Sequence, residues 1–282
     1  MTEKANNLDG SDLQRALLER LRFERAMGIE CVPPIAFERR QGVTGGAPAS
    51  APVATPAHAK PPAPVPPAAV RPVAAPPLDP PRLAATTPPP ALSDAEKEAR
   101  WKALEAQAMA CVACTLHRGR NKVVFGTGNR NAELLFVGEG PGADEDIQGE
   151  PFVGKAGQLL NKIIGAMGLK REEVYICNVV KCRPPENRAP LPDEIARCSP
   201  FLFEQIELVS PKVIVTLGGP ATKTLLNTVQ GIMSIRGRWA SFRGIPVMPT
   251  YHPAFLLRSY TEVNRRAVWD DMKQVMKKLG KS

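Results

Sequence analysis

The sequence predicts an α/β fold: a parallel sheet with helices on both faces, preceded by a long segment that does not join it. Two observations carry this. Four short apolar runs alternate with helical patterns through roughly the last two-thirds of the chain, and strand–helix alternation at that spacing builds parallel strands joined by crossovers. Upstream, 18 of the chain's 30 prolines fall between Cys31 and Ser93, a density far above ordinary usage. The globular part is therefore shorter than the 282-residue chain, yet long enough to bury a core.

The elements follow in order. Ser11 to Met27 reads as a helix, with Ser11 and Gln14 as a capping pair and Gly28 as a stop. Its apolar stripe is short, so it is a loosely docked terminal helix or a docking helix for a partner protein. From Val32 to Pro90 the chain is alanine and proline with few charges. Such a segment cannot bury enough apolar surface to offset its ordering entropy, and it reads as a disordered, semi-extended linker. The predicted organisation is thus an N-terminal helix over 1–30, a linker over 31–92 and a catalytic domain over 93–282.

Order resumes at Ser93, which forms a second capping box with Glu96 and opens a helix to Met109. Predicted strands are Glu133 to Gly138, Val174 to Asn178, Lys212 to Gly218 and Ile245 to Thr250. Predicted helices are Ala156 to Met167, Pro192 to Val209, Pro220 to Leu226 and Glu262 to Leu279. Parallel sheets bind ligands beyond the carboxyl ends of their strands. Chemistry is expected in the loops after Val137, Ile176, Leu217 and Met248.

The formal charge of +9 and a pI near 9.4 suit a polyanionic partner, nucleic acid first, without requiring one. No apolar run approaches the ~20 residues that span a bilayer, and Met1 to Gly10 lacks an apolar signal core. No membrane role and a cytoplasmic location are expected. Disulfides rarely persist there, so the six cysteines invite a search for metal ligands. Cys111 and Cys114 make a C-x2-C pair at a helix end; Cys182 and Cys198 follow, far apart in a proline-rich stretch. Four thiolates can hold a structural zinc or a [4Fe–4S] cluster. The wide second spacing tilts the reading towards the cluster, with zinc and free thiols as the alternatives. Cys177, inside a predicted strand, reads as a buried small hydrophobe, and Cys31 as incidental.

Gly138-Glu139-Gly140-Pro141-Gly142 follows the first strand. Its glycine spacing fits neither a dinucleotide fingerprint nor a Walker loop, but it lets backbone approach a ligand closely. Phe152, between proline and glycine runs, reads as a core anchor or as a stacking platform for a base. Asn178 ends the second strand, where an amide can donate and accept at one pyrimidine edge. Asn187 lies in the proline-rich loop and is a turn residue if nothing more. His252 follows the fourth strand, on the same rim as the other loops.

Taken together, GEGPGADED (Gly138 to Asp146), GEPFVGKAGQLL (Gly149 to Leu160), YICNVVKCRPPENRAPLPDE (Tyr175 to Glu194), YHPAFLLR (Tyr251 to Arg258) and the four spaced cysteines resemble the family 4 uracil-DNA glycosylases, the iron–sulfur branch of that superfamily. The resemblance begins near Ser93 and does not reach the N-terminal helix or the linker. It implies a three-layer αβα sandwich with a four-stranded parallel sheet. It also implies a [4Fe–4S] cluster held by Cys111, Cys114, Cys182 and Cys198, and uracil-containing DNA, single- or double-stranded, as the substrate of a nucleoid-associated monomer.

The resemblance further implies roles. The target nucleotide leaves the duplex, and Phe152 stacks on its uracil. Asn178 accepts from N3–H and donates to O4, and Glu145 sits near C5 to exclude a methyl group. His252 donates to O2 of the departing anion, helped by backbone N–H groups around Glu139 to Gly142, and Gly138, Gly140, Pro141 and Gly142 bind the substrate. Glu139 and Asn187 place the attacking water. Gly140 stands where the superfamily's most active members carry aspartate, which leaves the general base unassigned. Leu256, Leu257 and Arg258 form a wedge into the vacated stack, or simply begin the next helix. Lys181, Arg183 and Arg188 would face DNA. No insertion near Pro184 to Arg188 brings the histidine that a related branch uses to bond DNA covalently. With no lysine nucleophile assigned, a monofunctional enzyme is expected. The alternative is a non-catalytic iron–sulfur module that binds DNA or senses redox state.

Overall fold

The computed structural model describes residues 93–281. The expected N-terminal helix, the linker, Cys31 and His58 lie outside the described residues.

The first described element is α1 (Asp94–Met109). Ser93 caps it as the sequence predicts: Ser93 Oγ accepts from the Glu96 N–H, and the Glu96 carboxylate accepts from the Ser93 N–H at 2.9 Å. Trp101 is its anchor, buried edge-on against Phe125 and Tyr175 with ring centroids 5.8 and 5.4 Å away.

The sheet comprises β1 (Thr127–Gly128), β2 (Leu134–Gly138), β3 (Tyr175–Asn178), β4 (Val213–Leu217), β5 (Ala240–Phe242) and β6 (Ile245–Thr250), in the order β1-β3-β2-β4-β6-β5. The strands β3, β2, β4 and β6 run parallel, as the alternation of apolar runs demands. The expectation of a four-stranded, all-parallel sheet needs correction, because β1 and β5 add antiparallel edges and make the sheet mixed and six-stranded. Both edges are too short, at two and three residues, to carry a periodic signal. The β5–β6 hairpin turns on Arg243-Gly244, both with φ > 0 (50° and 84°), as a tight two-residue turn requires.

The remaining helices are α2 (Ala143–Gln148), α3 (Lys155–Ala166), α4 (Pro192–Val209), α5 (Gly219–Leu226), α6 (Ile232–Ile235), α7 (Pro253–Arg258) and α8 (Glu262–Lys278). Alternate strand residues divide between two cores. Leu134, Phe136, Ile176, Val215 and Met248 pack with α3, α7 and α8. Leu135, Val137, Tyr175, Cys177, Ile214 and Val247 pack with α1, α4 and α5. Burial on both faces makes each central strand a near-continuous apolar run. Cys177 is fully buried among them, the small hydrophobe the sequence suggested. No helix among the described residues is long and apolar enough to cross a membrane.

Candidate active site

A cleft of about 590 Å³ opens beyond the carboxyl ends of the parallel strands. It gathers the loops that the sequence singled out. Glu139, Gly140, Pro141, Gly142, Glu145, Phe152, Asn178, Asn187, His252 and Arg258 all line it.

Its floor depends on two glycines. Gly138 pairs in register with Asn178 across β2 and β3. A Cβ at Gly138 would lie 2.3 Å from Asn178 Oδ1 and 2.6 Å from the Phe152 ring, so only glycine leaves room for both side chains. Gly157 serves Phe152 likewise: a Cβ there would meet the Phe152 carbonyl oxygen at 1.9 Å. Phe152 itself holds a left-handed backbone, φ 54°, a strained state for a bulky residue that surroundings must impose. Its ring is buried and lies 5.5 Å from the His252 ring. Phe152 is thus a packed anchor, the first of the two readings, and its ring also lines the cleft.

The strain is held by hydrogen bonds. Glu145 Oε1 accepts from the N–H groups of Val153 (2.9 Å) and Gly154 (3.0 Å), while Oε2 accepts from the Gly142 N–H at 3.1 Å. One carboxylate thus joins the glycine loop to the Phe152 loop. It also takes up the Gly142 N–H, which corrects the expectation that this donor serves a departing anion. Arg171 donates to the Pro151 carbonyl and, at 2.9 Å, to Asn161 Oδ1, fixing the other side of the Phe152 loop. Arg171 follows a helix end with no motif around it, and no sequence signal marked it.

Asn178 is 1 % exposed, and its Oδ1 has no partner among the described residues. A buried, unpaired acceptor costs about 1–3 kcal/mol, so a ligand N–H in the cleft is its natural complement. His252 Nδ1 accepts from the Ala254 N–H at 3.0 Å. An acceptor Nδ1 places the ring proton on Nε2. Burial, with the positive charge of Arg258 adding to it, lowers the His252 pKa to about 4, so the ring is neutral at physiological pH. Glu139 is pushed upward by burial, with Arg258 opposing. Asn187 is exposed, φ 56°, and accepts from Arg183 Nε at 2.8 Å.

Two expectations about DNA contacts fail. Leu256 is fully buried in the core beneath α7, because α7 turns its apolar face to α3; it cannot enter a base stack. Leu257, 42 % exposed, and Arg258, exposed, remain on the outer face. Lys181 is also buried: its Nζ donates to the Asn178 carbonyl at 2.8 Å and to Gln205 Oε1 at 2.5 Å. It braces the strand end that carries Asn178 and does not face DNA. Arg188 is committed to a bidentate pair with buried Glu194.

The four spaced cysteines meet in a second pocket. Cys111 and Cys114 follow α1, Cys182 lies in the proline-rich loop and Cys198 in α4, and all four line it together with Arg120, Lys181 and Arg197. No carboxylate lines it, and His117, which also lines it, turns Nδ1 to the Cys114 carbonyl at 2.7 Å; the four thiols are the soft donors that thiophilic metals favour. Arg120 Nη1 donates to Cys182 Sγ at 3.2 Å and to the Cys111 carbonyl at 2.7 Å; the Lys181 N–H donates to Cys198 Sγ at 3.3 Å. Among the described residues no three His, Cys, Asp or Glu side chains are gathered as a single metal ion would need.

Known proteins are similar to this chain in sequence. The sequence model of the Uracil DNA glycosylase superfamily matches residues 125–273. A type-4 uracil-DNA glycosylase of Thermotoga maritima is 48 % identical over 177 residues, 60 % of this chain and 91 % of that protein. Another from Archaeoglobus fulgidus is 42 % identical over 183 residues, 61 % of this chain and 90 % of that protein. A type-5 uracil-DNA glycosylase of Pyrobaculum aerophilum is 32 % identical over 168 residues, 51 % of this chain and 74 % of that protein.

Proposed function

The chain belongs to the uracil DNA glycosylase superfamily, and from that premise we infer that it is a uracil-DNA glycosylase of the type-4 kind, a hydrolase that starts DNA repair by freeing uracil from DNA. The observation that carries the reading onto this cleft is the orphaned Asn178 Oδ1 beside the Phe152 ring. Uracil carries an N–H at position 3 where cytosine carries only an acceptor. A uracil edge relieves the buried amide; a cytosine edge leaves it unpaired, a mismatch that specific sites exploit by large factors.

The chemistry runs as follows. A flipped deoxyuridine enters the cleft with its ring against Phe152. The bond between C1′ and N1 breaks, and its electron pair leaves with uracil. Neutral His252 offers its Nε2–H to O2, where the negative charge gathers. A preorganised donor of this kind is worth about 10²–10³ in rate. Water adds to C1′ and releases a proton. Glu139, made more basic by burial, and Asn187 are the cleft residues suited to orient that water. Gly140 supplies no carboxylate, and a Cβ there would already press to 2.7 Å from Val180 Cγ2. No lysine lines the cleft, which favours a reaction ending at the abasic site without strand cleavage. Glu145 is assigned to loop positioning first, and to methyl exclusion only as its carboxylate walls the cleft. Leu257 and Arg258 are the surviving wedge candidates.

Cys111, Cys114, Cys182 and Cys198 would hold a [4Fe–4S] cluster, with Arg120 and Lys181 offsetting thiolate charge. When bound, the cluster supplies a rigid cross-link and no redox step in the reaction. The test of the whole reading is incubation of the full chain with uracil-containing oligonucleotides, followed by alkaline cleavage of abasic sites. Strand scission only after alkali supports a monofunctional glycosylase. No release from either single-stranded or U:G substrate overturns it.

A further inference from the structure

We propose that Met233, on α6, is a second apolar wedge that enters duplex DNA beside the extruded nucleotide. The inference rests on the glycosylase reading and adds a contact surface to it. Ile232 and Met233 line the cleft, though they lie far in sequence from the loops that build it. Ile232 is half-buried, whereas Met233 is 80 % exposed. Among the described residues, Met233 is the one strongly exposed large apolar side chain that also lines the cleft. A base that reaches the cleft is still joined to its strand, so exposed side chains lining the cleft face the DNA.

The tip is held rigidly. Arg236, which ends α6, donates from Nε and Nη2 to the two oxygens of buried Asp271 at 3.2 and 2.5 Å, and from Nη2 to the Ala267 carbonyl at 2.6 Å. Its guanidinium also lies 5.3 Å from the Tyr251 ring. Asp271 accepts in turn from Thr250 Oγ1 at 2.6 Å, and the Gly237 N–H donates to the Pro249 carbonyl at 3.0 Å. The helix therefore hangs from the strand end that delivers His252. Charge agrees with the occupant: residues 227–239 include the exposed Arg238 and no acidic side chain, which suits phosphate. Methionine is long, flexible and apolar, and belongs to the side chains that part base steps.

Single-turnover uracil release by the full chain tests this on U:A duplex, U:G duplex and single-stranded oligonucleotides, with 2-aminopurine beside the uracil to report unstacking. Met233→Ala should slow release from U:A by about fivefold or more, as for loss of an apolar wedge that offsets part of the cost of parting a base step. It should slow release from U:G less, leave single-stranded release unchanged, and lower the 2-aminopurine signal. Met233→Leu should restore the duplex rate, and Met233→Glu should depress it further. Duplex rates unaltered in both Met233→Ala and Met233→Glu would overturn the proposal, as would equal losses on duplex and single strand. If the unmutated protein released no uracil from any substrate, the glycosylase reading would fall. The 2-aminopurine comparison would still decide whether Met233 enters the stack.

Discussion

The cleft and the cysteine pocket lie on one domain but are built differently. The cleft stands on strand ends and is tied by its own hydrogen bonds: Glu145 to two loops, Arg171 to the Phe152 loop, Asp271 to Thr250 and Arg236. Its reactive groups are preset without any added component. The cysteine pocket sits between a helix end and a proline-rich loop, and brings four thiols beside Arg120, Lys181 and Arg197, with Ala108, Ala113 and Phe201 around them. One region is tied by its own hydrogen bonds; the other gathers thiols that the proposed cluster would join. The contrast assigns catalysis to the first and cross-linking to the second.

Predictions follow that contrast. His252→Ala removes the side-chain donor to O2 and should cost about 10²–10³ in single-turnover rate, with the thermal midpoint little altered at neutral pH. Leu256→Ala should instead cost about 2–5 kcal/mol of stability, as for any buried leucine, in chemical denaturation. Leu257→Ala should leave stability unchanged and weaken duplex binding; the pair separates core from wedge on adjacent residues. Glu145→Ala frees three N–H groups and should cost about 1–3 kcal/mol in stability together with catalytic rate. Cys182→Ala should lower thermal stability and bound iron, while any folded fraction keeps uracil specificity. A loss of specificity there would collapse the division of labour.

The smallest effect is in pH. An unfolded histidine titrates near 6.5, whereas folded His252 does so only at about 4. Between those values the unfolded chain binds more protons, so stability rises with pH through that window. Denaturation midpoints across it should slope upward, and His252→Ala should flatten this contribution. Activity should not fall as pH rises through 6.5, because the ring is neutral already.

Much of this was legible in the sequence. Periodicity located the four central strands, and the α4 and β6 boundaries agree residue for residue. Phe152, Asn178 and His252 were readable because each ends a strand or follows a glycine-rich turn. Other features were not readable for physical reasons. Two edge strands were too short to show a period. Lys181 looked like a DNA contact because a buried lysine is rare, and only the fold brings Gln205 to it. Leu256 and Leu257 differ by one residue, and which one faces out depends on how α7 packs. Arg171, Arg236 and Asp271 act through backbone carbonyls and distant partners that no local pattern encodes.

The most direct test is uracil release by Asn178→Ala beside the unmutated protein under single-turnover conditions on one uracil-containing duplex. Asn178 is held to read the uracil edge with an otherwise unpaired oxygen. Release by the unmutated chain, with the variant slowed by about 10²-fold or more as for loss of a specific buried polar contact, is the predicted result. A variant that releases uracil at the unmutated rate would contradict the account.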